Sequence, residues 1–115
     1  MSNCVIEAQA MSNTAVSVVE LVGSLDINNV EEFETVLQKL FKDRRFKIVL
    51  NLEKLTYISS AGIGVLMSVI KEVRKNRGDI KITNVVPDVY KVFELLELPG
   101  IFHFMKTQQD AVNSF

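Results

Sequence analysis

The chain reads as an α/β fold: a mostly parallel or mixed sheet of about four to five strands, about four helices and right-handed β-α crossovers. Three observations predict it. Strand-like and helix-like segments alternate with short connections, in the order β-β-α-β-α-β-α-β-α. Apolar residues recur at helical spacing in one set of segments, while a nearly unbroken apolar run marks a strand covered on both faces. A chain of 115 residues, 48% of them hydrophobic, buries roughly two-thirds of its unfolded surface around one core. One domain spanning residues 1–115 is therefore expected.

Taken in order, residues 4–9 form a short edge strand, and Met11 to Thr14 supply turn residues. Val-rich residues 15–22 form the next strand, bounded by Gly23. Asn28 or Asn29 caps the first helix, since Glu31 and Glu32 stand three residues on from each. Val30, Phe33, Val36, Leu37, Leu40 and Phe41 give that helix one apolar stripe, and its acids and lysines are placed as the macrodipole favours. Residues 47–52 suit a central strand. A helix over 60–75 follows, with Ile63, Leu66, Ile70 and Val73 inward and Gly78 as its C-terminal cap. Residues 79–83 alternate as a strand. Pro87-Asp88 opens a helix with Val89, Val92, Phe93 and Leu96 inward, and Pro99-Gly100 ends it. Residues 101–104 make a last short strand and 108–113 a terminal helical turn or two.

Composition excludes several classes. The single cysteine, Cys4, forbids an internal disulfide and points to a reducing compartment. The net charge of −1, with both signs interspersed, gives no global pull toward nucleic acid or an anionic membrane. No basic region followed by a long apolar run opens the chain, and no apolar run approaches the ~20 residues of a membrane helix. A small soluble cytoplasmic domain is expected.

Catalytic chemistry finds no constellation. No Gly-Lys pair offers a phosphate-binding loop, and Met67 stands where a dinucleotide fingerprint beginning at Gly62-Ile-Gly64 needs its third glycine. Ser60 lacks the N-terminal glycine of a nucleophile elbow. One His and one Cys cannot assemble the usual N/S metal cluster. His103, between Phe102 and Phe104, is assigned a structural role, and nothing in the spacing joins it to Ser60 and Asp26 as a triad. No catalytic residue, metal or cofactor is expected.

The stretch Leu55-Thr-Tyr-Ile-Ser-Ser-Ala-Gly-Ile-Gly-Val-Leu-Met67 hands a strand to a helix through small residues. Such residues let a large group approach the backbone. Ser59 and Ser60 both stand where four amide N–H groups lack internal partners. One reading is a simple helix cap, with glycines that permit close helix–sheet packing. The other is phosphorylation, the phosphate being held by free amides and the positive end of the dipole. It would add about −1.5 to −2 charge and three acceptor oxygens.

Ser59-Ser-Ala-Gly-Ile-Gly-Val-Leu66 resembles the signature of the anti-sigma factor antagonists, the bacterial STAS-domain family. Its usual form is Asp-Ser-Ser/Thr-Gly-hydrophobic-Gly followed by apolar residues. The Gly23-Ser-Leu-Asp26 turn and the strand–helix order also resemble that family, over nearly the whole chain. The resemblance implies a STAS fold and a phosphorylation-gated binding module. Unphosphorylated, it would bind an anti-sigma factor, a histidine-kinase-like serine kinase, and free the sigma factor for transcription. That kinase would phosphorylate it and break the complex, and a metal-dependent serine phosphatase would reset it. Motif matching places the phosphoacceptor at Ser60, with Ser59 as the alternative. Asp26, Asn28, Ser59, Ser60, Ala61, Gly62, Gly64, Met67 and Lys71 are the expected partner contacts. Ser59 stands where the family usually has an acid, and Ala61 where it has Ser or Thr. The missing acid leaves open a second class, a STAS scaffold or ligand-sensing module that is not phosphorylated. A third, a small hydrolase, would need turnover through Ser60 and His103.

Overall fold

The computed structural model describes residues 4–10 and 15–115. The predicted turn over 11–14 lies outside them. Five strands stand side by side in sequence order: β1 (Cys4–Ala10), β2 (Val16–Leu25), β3 (Lys47–Ile58), β4 (Asp79–Thr83) and β5 (His103–Met105). β1 is antiparallel to β2 and every other pair is parallel, so the sheet is mixed, as the alternation requires. Helices α1 (Val30–Lys42), α2 (Ser60–Lys75), α3 (Pro87–Leu95) and α4 (Gln108–Asn113) provide the connections and the terminal cover.

The main core lies between the sheet and α1, α2 and α3. Phe33, Leu37 and Phe41 of α1, Ile63, Leu66, Ile70 and Val73 of α2, and Val89 and Phe93 of α3 meet Val19, Leu21, Ile48, Leu50, Leu52, Ile80 and Ile82 of the strands. These helix residues recur at three- and four-residue spacing, which puts them on one face. Burying each such side chain contributes roughly 1.5–3 kcal/mol relative to leaving it in water. A smaller cluster on the opposite face joins Val16, Val18 and Val49 to Ala111 of α4.

β3 runs six residues beyond its predicted end. Only Lys47–Asn51 pairs with β4; the remainder pairs with β2 alone. The pairing shifts register between Glu20 and Val22 and again between Gly23 and Ser24, each time with one extra residue on β3. Such bulges bend and twist the strands that carry them. Gly23 takes the left-handed φ of 101° at the second shift, so it sits inside β2 rather than bounding it. The polar, exposed residues Glu53, Lys54, Thr56 and Tyr57 break the apolar run that marks the rest of the strand.

Three local expectations are corrected. Asn29 occupies the N-cap of α1 but makes no side-chain cap hydrogen bond; its amide bonds the preceding loop instead. At the end of α2 the left-handed residue is Arg77, at φ 64°, one position before Gly78. Arg77 N–H donates to Arg74 O at 3.0 Å and Gly78 N–H to Val73 O at 2.9 Å, a Schellman closure. Gly78 is required for closeness: a Cβ there would lie 1.9 Å from the Phe46 carbonyl oxygen. α1 ends the same way, with Arg44 at φ 61°, Arg44 N–H on Phe41 O and Arg45 N–H on Leu40 O. A side chain in this conformation costs roughly 1–2 kcal/mol that glycine does not incur. Leu96 is the third correction: it caps α3 and is exposed, because the helix has ended. Pro99-Gly100 lies in a one-turn 3₁₀ helix, Leu98–Gly100, which keeps residues 101 and 102 out of β5.

Candidate functional site

The β2–β3 ribbon carries two connections beyond the edge of the sheet, the turn after Leu25 and the junction after Ile58. They are tied together, since Ser59 N–H donates to Leu25 O at 2.9 Å. The turn is held by Asn29, 6% exposed. Its Oδ1 accepts from Asp26 N–H at 2.8 Å and its Nδ2 donates to Ser24 O at 2.7 Å. The Asp26 carbonyl accepts from Asn29 N–H and Val30 N–H, and its carboxylate from Asn28 N–H at 2.9 Å. Asp26 is thus half-buried and fixed beside the junction, while Asn28 is exposed. The local sequence marks Asn29 only as a cap; its loop-organising role depends on how the turn closes.

The two serines differ in environment. Ser59 is half-buried and extended, at the N-cap of α2; its Oγ accepts from Gly62 N–H at a long 3.4 Å and its carbonyl from Ile63 N–H at 3.1 Å. Ser60, the first residue of α2, is exposed, and its hydroxyl has no partner among the described residues. The first turn of this 16-residue helix holds no acidic residue of its own to offset its positive end.

Beyond the cap, the small residues divide by role. Ala61 is half-buried. Gly62 is buried, and a Cβ on it would meet Leu25 Cδ2 at 2.9 Å and Ile58 Cγ1 at 3.0 Å. Its contacts are with the ribbon beneath. Gly64 has nothing within 4 Å of where its Cβ would stand, so the fold itself makes no demand for glycine there. Ser60, Gly64, Met67 and Lys71 are all exposed. Their spacing of four, three and four residues sets them along one ridge of α2. The structure thus joins Asp26, Asn28, Ser59 and Ser60 at one end of that ridge and sets Lys71 toward the other. Ile27, 73% exposed in the same turn as Asp26, is an apolar group that the sequence does not single out. An isolated apolar residue between polar ones carries no periodic signal.

His103 opens β5 at the opposite end of the sheet, exposed, with Nδ1 3.9 Å from Asp79 Oδ2. The topology therefore keeps it away from Ser60. Among the described residues no group of three or more His, Cys, Asp and Glu side chains is placed to hold a metal ion. No helix among them is long and apolar enough to cross a membrane.

Comparison with known proteins agrees with this geometry. The STAS domain model matches residues 7–111. An anti-sigma-B factor antagonist of Staphylococcus aureus is 31% identical over 85 residues, which is 74% of this chain and 79% of that protein. An anti-sigma factor antagonist from Mycobacterium paratuberculosis shares the fold with a TM-score of 0.87 at 20% identity, over 97% of this chain and 93% of that one. The Bacillus cell fate determinant SpoIIAA in its phosphorylated form gives 0.74 at 23% identity, over 96% and 98%. At such identities these two likenesses speak for the fold alone. The family match spans all four helices at least in part and four strands in full, and the sequence relative covers most of both chains. The chain belongs to the STAS domain family, among the anti-sigma factor antagonists.

Proposed function

We propose that this chain is a cytoplasmic, single-domain anti-sigma factor antagonist whose binding is gated by phosphorylation of Ser60, with no catalysis of its own. Unphosphorylated, it binds an anti-sigma factor of the histidine-kinase-like serine kinase type, and the sigma factor is released. Phosphorylation by that kinase ends the complex, and a serine phosphatase restores it. The partner covers the Asp26–Asn28 turn and the ridge from Ser59 and Ser60 past Ala61 and Gly64 to Met67 and Lys71. Gly62 contributes by letting α2 sit close enough to the ribbon to form that surface.

The observation that carries this reading is the exposed, unbonded Ser60 hydroxyl at the start of α2. The amides of Ser60 and Ala61 also lack a partner among the described residues, which suits an added phosphate. Clearing a complex from mostly bound to mostly free takes about 5.5 kcal/mol of differential affinity. A charge buried without its partner supplies roughly 3–5 kcal/mol before steric clash is added, so one phosphate under a covering partner suffices.

Ser59 in the cap position where the family usually has an acid favours a second reading, a STAS scaffold that binds without being modified. Intact-mass measurement after incubation with the cognate kinase-like partner and ATP separates the two. An added phosphate that disappears in Ser60→Ala supports the switch. Ser60→Asp should abolish the complex while Ser60→Ala retains it; equal binding by both variants refutes the gate.

A further inference from the structure

The signs that alternate along the sequence are segregated by the fold. Strands β2 to β5 all begin at one end, where α1 and α2 finish. Lys42, Arg44, Arg45, Lys47, Arg74, Lys75 and Arg77 gather there, seven of the thirteen lysines and arginines, against Asp43, Glu72 and Asp79 and, where α3 also finishes, Glu94 and Glu97. Among the described residues only Arg74 of these seven forms an ion pair, with Asp79 at 3.3 Å. Cations at helix C-termini are ordinary macrodipole partners, so their number alone assigns nothing.

Two further observations do. The left-handed positions that close α1 and α2 are both held by arginine, Arg44 and Arg77, where glycine would fit without strain. The same strain is accepted at Glu97, which closes α3, so it carries no preference of sign, but it fixes where both arginine side chains leave the backbone. Arg44 is also pre-oriented: its guanidinium lies 5.3 Å from the Phe46 ring centre and donates to Asn76 Oδ1 at 3.4 Å. Beside it lies a cleft of about 590 Å³ between the two helix ends, lined by Phe41, Lys42, Arg44, Glu72, Lys75 and Asn76 among others.

We infer that this basic pole is a second docking surface, for a carboxylate-rich segment of a partner protein, at the end of the molecule opposite Ser60. Charge complementarity calls for an acidic ligand, and guanidinium forks match carboxylates bidentately. The cleft narrows the class. Glu72 stands among the cations as an acceptor, which a peptide's N–H groups satisfy and a phosphodiester backbone, having no donors, does not. Phe41 and Phe46 give an apolar floor for a side chain between carboxylates. Both ends can then be occupied at once.

The test uses the full chain and a fluorescein-labelled Glu-Glu-Glu-Phe-Glu-Glu-Glu peptide, read by fluorescence anisotropy. We expect saturable binding that weakens with added salt, loosens at least roughly tenfold in Arg44→Glu/Arg77→Glu, and is unchanged in Ser60→Asp. Arg44→Gly/Arg77→Gly is the decisive variant: it should raise the melting temperature, because strain is relieved, and still lose affinity. Undiminished binding by that variant, or no binding by the native chain, overturns the inference. A labelled duplex DNA bound as tightly as the peptide, or anionic phosphatidylglycerol vesicles doing the same, overturns the choice of a protein partner. Loss of peptide binding in Ser60→Asp would show that the peptide occupies the Ser60 surface instead. An intact response here together with failure of the Ser60 phosphorylation assay would refute the gate alone.

Discussion

The two glycines of α2 two residues apart should respond to the same substitution with opposite signs. In Gly62→Ala the new methyl group lands 2.9 Å from Leu25 Cδ2 and 3.0 Å from Ile58 Cγ1. Both side chains are at most 2% exposed, so neither can swing into solvent. Relief must come from α2 lifting off the ribbon or from an off-rotamer leucine, at a cost of roughly 1–3 kcal/mol. The gain in helix propensity, roughly 0.5–1 kcal/mol, offsets part of it, leaving a net loss of up to about 2.5 kcal/mol. At Gly64 there is no neighbour to strike, so only the propensity gain remains and Gly64→Ala should be more stable by roughly 0.5–1 kcal/mol. Urea unfolding followed by circular dichroism measures both, provided the m-values agree. A Gly62→Ala variant as stable as Gly64→Ala would refute the close approach of α2 to Leu25 and Ile58. The binding assay then completes the comparison. If a partner seats on the Gly64 ridge, the more stable variant should be the weaker binder.

Asn29→Ala removes the bonds to Asp26 N–H and Ser24 O, 2.8 and 2.7 Å long, and should cost roughly 1–3 kcal/mol at about 0.5–1.5 per bond; thermal unfolding reads the loss. Amide exchange at Asp26 should quicken in the same variant. Gly78→Ala presses a methyl group onto the backbone carbonyl of Phe46, 1.9 Å away, and backbone cannot yield as a side-chain tip does. The expected loss is roughly 3 kcal/mol or more, visible as poor soluble yield or a collapsed unfolding midpoint; a wild-type midpoint would contradict the contact.

How much of this was legible in the sequence depends on whether the signal was local. The spans of α2 and α4 agree with the periodic pattern to the residue, because caps and stops are written within a few positions of each helix end. The far half of β3 was not legible, because Glu53, Lys54, Thr56 and Tyr57 follow a ribbon exposed to water rather than a covered strand. Gly78 announced the end of α2 correctly but for a different reason, since the carbonyl that forces glycine there belongs to Phe46, 32 positions away. The junction at Ser59-Ser60 could be picked out by its small residues, whereas its bond to Leu25 and the order imposed by Asn29 could not. Charge segregation was equally hidden. It follows from parallel strands starting at one end, and a net charge cannot report a dipole.

The ribbon has one more consequence. Beyond Asn51, β3 pairs with β2 alone, out of the reach of β4. Leu52, Leu55 and Ile58 anchor this segment in the main core, so any earlier opening of the strand pair must come from its one-sided backbone pairing. Amides of Leu55 to Ile58 should exchange faster than those of Ile48 to Leu50. A group added at this tip perturbs a cantilever and leaves its anchorage alone. Phosphorylation of Ser60, if it occurs as proposed, would then act on this pair and leave the five-stranded body folded.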